Sequence, residues 1–216
     1  QDQTIRYAWS WAACVFFTNH PKFGPMLREV SAGKLDYSLA LSRKFKARVG
    51  ESWNEAQIDW DGFLSDLDFG YDLSRSLVFS GDRPAKKLEI SQKFSLATER
   101  GWQSAGIRVE KGRPIQFQCD GRFRIRLAEG AQGEDWNSEP QGVTIEYYRG
   151  NPLGCVLASV VPTDDPEETR RWETHPIGRS GTLSPAVAGT LFLKINESSS
   201  GLYDNSGTVS VTISPE

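Results

Sequence analysis

Apolar residues recur at helical spacing over the first third of the chain and at strand spacing over the last half. From 4 to 19, Ile5, Ala8, Trp9, Ala12, Ala13, Val15, Phe16 and Phe17 are apolar nearly all round. That pattern predicts a helix buried by other helices. Cys14 falls inside it and reads as a small core residue. The stretch TNHPKFGP, with two prolines, breaks the helix. A second helix is predicted at 25–32 and ended by Gly33. A third covers 36–49, with Tyr37, Leu39, Leu41 and Phe45 as its apolar positions. A fourth opens at Ser52, which with Glu55 three residues on has capping-box spacing. It carries Trp53, Ile58, Trp60, Phe63, Leu64 and Leu67. A bundle of about 65 residues is small for an independent core, which suggests the tail of a larger helical domain.

From Trp102 on, the period is two. Strands are predicted at 106–110, 115–119, 123–127, 143–148, 156–161, 181–183, 190–196 and 208–213. Turn segments such as KGRP, CDG, RGNPLG and SPAVAG separate them. Many short strands at this spacing indicate an all-β sandwich. Residues 73–100, punctuated by Gly81 and Pro84, read as a connector with one strand around 88–91. The expected fold is therefore α+β and segregated: a helical bundle at 1–72, a connector at 73–100 and a jelly-roll-like sandwich at 101–216.

Composition narrows the functional classes. Apolar residues make up 38% of the chain, and seven Trp and eleven Phe add large buried areas, so a folded core is affordable. The formal net charge of -3 gives neither the basic excess of a nucleic-acid binder nor an acidic tail. The longest apolar run, 12–17, is far too short for a membrane span and lacks the pattern of a signal peptide. The chain starts at Gln1, as a processed product or a fragment would. Cys119 and Cys155 both fall in the β-rich half, where they either pair or stand as separate buried thiols; the second reading is preferred. Cysteine usage leaves the redox compartment open.

No HExxH, GxSxG, Walker loop or CxxC pair occurs. The two histidines, His20 and His175, lie in different halves and form no zinc spacing. Asp66–Asp68 reads as a solvated helix end and Asp164–Glu168 as an acidic turn. Arg122, Arg124 and Arg126 alternate on one strand face, with Phe123, Ile125 and Leu127 turned to the core; the basic stripe reads as the solvated face, with contact to an anionic glycan as the alternative. Tyr147 reads as core. Trp136 and Trp172 fall in polar loops and are candidates for stacking on a sugar ring. The segment INESSSGLYDNSGTVSVTI, residues 195–213, stands apart. Two strand-like runs flank a loop with Asn196, Glu197, Asp204 and Asn205, bent by Gly201 and Gly207. Calcium takes six to eight oxygens from carboxylates, amides, carbonyls and water, and such a loop supplies several. Asp-Asn-Ser-Gly is also an ordinary turn sequence.

The order GVTIEYYRGNPLGCVLASVV, PIGRSGTLSPAVAGTLFLKIN and ESSSGLYDNSGTVSVTI resembles the LecA-like domain family, named for a bacterial galactophilic lectin. The resemblance covers 101–216 and is strongest over the last thirty residues. It implies a small jelly-roll-like sandwich with a calcium ion that bridges two hydroxyls of a sugar. Carried onto this chain, Glu197, Asp204 and Asn205 would give side-chain oxygens and Gly201 a carbonyl. A further carbonyl would come from the first sandwich loop, within 121–125. Glu197 and Asp204 depart from the family, which has Asp and Asn there, and the lectin's sugar-contacting loop has no clear counterpart. Calcium is thus implied more directly than galactose. The segments RYAWSWAACVFFTNHPKFGPMLREV and FKARVGESWNEAQIDWDGFLSDLDFGYDL resemble the last helices of gluzincin-like (peptidase MA clan) domains of bacterial exported proteins. That resemblance implies no catalytic residue in this chain.

Three functions follow as expectations. The first is a non-catalytic, carbohydrate-binding module that uses calcium in the 196–205 loop, with Trp136 and Trp172 at the ligand. The second is the C-terminal part of an exported zinc metallopeptidase whose catalytic helix lies upstream. The third is a structural or protein-interaction domain without metal. An exported setting, periplasmic, cell-surface or extracellular, suits all three.

Overall fold

All four predicted helices form, with shifted ends. The computed structural model describes residues 3–32, 39–80, 84–128, 133–162 and 172–216; Gly33, the expected start at Asp36 and the acidic turn Asp164–Glu168 lie outside them. The helices are α1 (Gln3–Asn19), α2 (Phe23–Ser31), α3 (Leu39–Val49) and α4 (Trp53–Asp66). The chain divides into two compact units, Gln1–Trp60 and Asp61–Glu216, and the division falls inside α4.

In the first unit, Phe17 packs edge-on against Phe45 at 5.0 Å and stacks on Trp60 at 6.3 Å, and Phe16 meets Trp60 edge-on at 5.4 Å. Phe23, Phe45, Val49 and Ala56 form the buried cluster beside them. The expectation that α1 is buried all round does not hold. Only Ala12 and Phe16 are buried, while Ile5, Tyr7, Trp9, Trp11 and Cys14 are exposed. One side of α1 packs, and an all-round apolar pattern cannot say which side. Gly50 ends α3 at a φ of +54°, and Ser52, the expected cap of α4, closes a 3₁₀ turn, Gly50–Ser52, that leads into that helix. At the start of α2 a histidine side chain takes up free backbone N–H groups. His20 Nδ1 accepts the N–H of Lys22 at 3.1 Å and of Phe23 at 3.2 Å, so its Nε2 donates to buried Asp59 at 3.1 Å.

The second unit begins with the end of α4 and a short helix, α5 (Leu73–Ser76), capped by the Asp72 carboxylate. The strands that follow are β1 (Lys86–Lys87), β2 (Gln92–Ala97), β3 (Gln103–Val109), β4 (Ile115–Asp120), β5 (Phe123–Arg126), β6 (Trp136–Ser138), β7 (Gln141–Tyr148), β8 (Asn151–Val161), β9 (His175–Pro176), β10 (Ser180–Leu183), β11 (Gly189–Ile195) and β12 (Thr208–Pro215). One sheet runs β1-β3-β11-β8-β7, with β9 on β8; the second runs β10-β4-β12-β2; β5 and β6 pair apart. The fold is α+β and segregated, helices first and then a β-sandwich. The stretch read as a connector supplies two strands, and β2 pairs with the final strand from Thr208↔Ala97 to Ile213↔Gln92. Its Phe94 and Leu96 alternate inward, so the period of two begins about ten residues before Trp102.

Leu96, Phe117, Val211 and Ile213 of one sheet face Val156, Ala158, Leu191 and Leu193 of the other, and together they form the main core. β11 is buried at every position, as expected where both faces are covered. On the outer face, Phe192 meets Trp172 at 4.9 Å, and Lys194 donates to Asp66 Oδ2 at 2.7 Å. Asp66 is therefore not a solvated helix end. It is buried and anchors the last turn of α4 to the sheet. Among the described residues, no helix is long and apolar enough to cross a membrane.

Candidate functional site

The β7–β8 hairpin turns on Arg149 and Gly150, whose φ values of 48° and 83° make a two-residue turn that follows the strand twist. Asn151–Gly154, read from sequence as part of the turn, belongs to β8. Asn196 then ties the hairpin down. Its amide nitrogen lies 3.0 Å from Tyr148 O, 2.9 Å from Asn151 O and 3.0 Å from Pro152 O. This side chain is buried and committed to the hairpin. On the opposite side, Arg124 and Ser206 exchange both backbone bonds, at 3.0 and 3.1 Å, which ties β5 to the 196–205 loop. Three pieces thus converge: the end of β5, the end of β7 and the 196–205 loop.

Between them lies a cleft of about 340 Å³, lined among others by Arg126, Glu146, Tyr147, Tyr203, Glu197 and Asp204. It falls within the usual size range for small-molecule sites, roughly 300–1,000 Å³. A second pocket beside Val160, Leu183 and His175 holds only about 90 Å³. Glu197 is 6% exposed. Its Oε1 accepts the Ser198 N–H at 3.1 Å, while its Oε2 is buried without a hydrogen-bond partner. Burial pushes the Glu197 carboxyl up to about 7, against the pull of the Ser198 N–H and of the Arg126 charge. Gly201 leaves room for that carboxylate, because a Cβ there would land on Glu197 Oε1. Asp204 Oδ2 accepts the Leu127 N–H at 3.1 Å, and its carbonyl accepts from Arg124 Nε at 3.0 Å. Asn205 donates to Thr98 O at 3.0 Å, and its Oδ1 is buried without a partner.

Of the residues singled out in the sequence, Glu197, Gly201 and Asp204 line one cleft, and Asn205 follows Asp204 with its side chain turned toward Thr98. The side-chain oxygens fit a hard cation in kind: two carboxylates in the cleft lining and, next to Asp204 in the chain, an amide. Two of them are buried and unsatisfied, a condition that native proteins rarely leave uncompensated. Among the described residues, no three acidic, histidine or cysteine side chains form a metal cluster by themselves, so an ion here would depend on mixed oxygen donors.

Trp136 sits beside the cleft, but the Arg126 guanidinium lies 4.6 Å over its ring and occupies that face. Trp172 is elsewhere, packed between Trp102 and Phe192 and above Gly62. The arginine stripe is not a free solvated face. Arg126 makes a two-pronged pair with Glu146, at 2.7 and 2.9 Å, and Arg124 pairs with Asp135 at 3.3 Å. Tyr147, read as core, is 59% exposed. Strict alternation puts Glu146 and Tyr147 on opposite faces of β7. A register shift between Val143 and Tyr147 breaks the alternation, and both line the cleft. That bulge is the signal sequence reading lacked; Tyr203, inside the loop itself, was available to it.

No protein-family model matches the chain, and no curated protein matches it. Among solved structures, it is similar to one described as "EclA N-terminal domain; PllA-like lectin", at 21% identity over 60% of this chain and 98% of that one, with a TM-score of 0.43. It is also similar to IMPa from Pseudomonas aeruginosa, solved in complex with an O-glycopeptide, at 13% identity over 91% of this chain and 24% of that one, with a TM-score of 0.29.

Proposed function

We propose that this protein is a carbohydrate-binding module whose cleft is completed by a calcium ion on the 196–205 loop. The observation that carries the reading is the pair of buried, unpartnered oxygens, Glu197 Oε2 and Asn205 Oδ1. An ionised carboxylate buried with one oxygen unpartnered is costly, and a bound dication offsets that cost. Glu197, Asp204 and Asn205 would hold the ion by side-chain oxygens and Gly201 by its carbonyl, in line with the sequence resemblance. When bound, the ion supplies an electrophile that two adjacent hydroxyls can share. The protein supplies the walls. Tyr147 and Tyr203, 59% and 64% exposed, offer ring faces to the apolar side of a sugar. Asn196 and the Arg124–Ser206 bridge hold the walls in place before any ligand arrives. An exported setting accords with this chemistry, since extracellular modules bind calcium at ~10⁻⁴–10⁻³ M.

The test is a panel of glycans against the full chain, in 1 mM calcium and in EDTA. Binding that requires calcium and is lost on Asp204→Ala supports the reading. A panel with no binder, or binders indifferent to both changes, rejects it.

A further inference from the structure

We propose that the Arg126–Glu146 pair selects the ligand of this cleft, reading adjacent hydroxyls of a neutral sugar and rejecting sugars that carry a carboxylate. The proposal rests on the cleft being a glycan site but not on the metal. Arg126 comes from β5 and Glu146 from β7, so the pair joins two walls of the cleft. It is pinned three ways: Nη1 to Glu146 Oε2 at 2.9 Å, Nη2 to Oε1 at 2.7 Å, and the guanidinium plane over the Trp136 ring at 4.6 Å. Both side chains are only partly buried, and both line the cleft. The fork hydrogen bonds hold the Glu146 carboxyl below its ordinary range, so it is an ionised acceptor.

A guanidinium has five N–H donors and a carboxylate about four acceptor positions; the fork uses two of each. Unused donors and acceptors are left side by side on one rigid plane. Two neighbouring hydroxyls, each of which gives one hydrogen and takes another, are the complement of such a surface. An acidic sugar meets different conditions. Arg126 is already neutralised by Glu146, and Glu197 and Asp204 add two carboxylates to the lining. Even a bound dication only brings this set to neutrality. A further carboxylate loses its water and gains no free cation. The Trp136 ring keeps the fork planar and aimed, a service that lysine, a point charge on a flexible stem, cannot use.

The experiment titrates the full chain, in 1 mM calcium and in EDTA, with methyl glycosides of glucose, galactose and mannose and with the glucuronate and galacturonate counterparts. The expected result is that at least one neutral glycoside binds about tenfold more tightly than either uronate, the scale of one charged hydrogen bond. Glu146→Gln should lose about tenfold for that glycoside and erase most of the discrimination, and Arg126→Lys should lose as much although it keeps the charge. Exposed pairs contribute little to stability, so both variants should melt within about 2 °C of the parent in EDTA. A uronate that binds as tightly as the neutral sugars overturns the proposal, as direct capture of its carboxylate by calcium would produce. So does a Glu146→Gln variant of unchanged affinity, or a panel with no binder. Calcium-dependent melting that survives any of these leaves the metal reading intact, whereas Glu146-dependent sugar binding in EDTA removes the metal and keeps the pair.

Discussion

Glu197 joins two properties that oppose each other in the metal-free protein: a negative charge and a buried, unpartnered oxygen. Its carboxyl is raised from 4.5 to about 7, chiefly by burial. Below pH ~4.5 the residue is protonated whether the chain is folded or not, and it contributes no pH dependence. Between ~4.5 and ~7 the folded state holds a proton that the unfolded state has lost, so stability falls as pH rises. Above 7 the full cost remains, on the order of 3 kcal/mol. Denaturant melts in EDTA should show this downward slope between pH 5 and 7, and Glu197→Gln should flatten it. The thiols give a second residue-scale prediction. Burial, with the neighbouring Cys155, pushes the Cys119 thiol up to about 12, and Cys155 is also buried and raised, while Cys14 is exposed. A thiol-reactive dye at pH 8 should label one cysteine quickly in the native protein and three after unfolding. Fast labelling of two or more native thiols would contradict the assignment.

At the scale of elements, the anchor that matters most is the end of α4 on the outer face of β11. Lys194 is buried, donates to Asp66 and lies 5.3 Å over the Trp102 ring, and Arg149 approaches Asp66 at 3.4 Å. Removing one partner of a buried pair leaves an uncompensated charge. Asp66→Ala should therefore cost about 3–5 kcal/mol in a urea melt, whereas Asp66→Leu with Lys194→Met should recover most of the loss. This arrangement also marks how far sequence reading reached. The strands of the β-half were legible because alternation with short turns is a local signal; β4, β5 and β12 lie within a residue or two of their predicted bounds. What escaped was set by tertiary contact or by irregular backbone. Asp66 looked solvated because its partner is over a hundred residues away. β3 starts earlier than predicted because Gly106, at a φ of +67°, reads as a break but sits where β11 and β3 slip register. β6 is three residues in a polar stretch and has no period to detect.

At the scale of the whole molecule, the helical unit and the sandwich unit answer to different evidence. The first was visible as helices, but its exposed α1 face was not, since periodicity cannot say whether a neighbour is present. The second was visible as a sandwich, and its final loop was legible as an oxygen-rich loop through residue chemistry alone. The partners of that loop, Arg126, Glu146 and Tyr147, arrive through strand pairing and a bulge that no local pattern encodes. The central claim remains the ion. The most direct measurement is calorimetric titration of the full chain with calcium, with thermal melts in EDTA and in 1 mM calcium alongside. A ligand that binds only the native state stabilises it by RT ln(1 + [L]/Kd), about 1.4 kcal/mol at the tenfold excess that 1 mM calcium gives over a Kd of ~10⁻⁴ M. For a chain of this size that is a rise of roughly 3–6 °C. One calcium per chain with a Kd of ~10⁻⁴ M, a melting rise of that order, and loss of both in Asn205→Ala are the expected results. Coincident melts, with no binding heat up to 5 mM calcium, would contradict them.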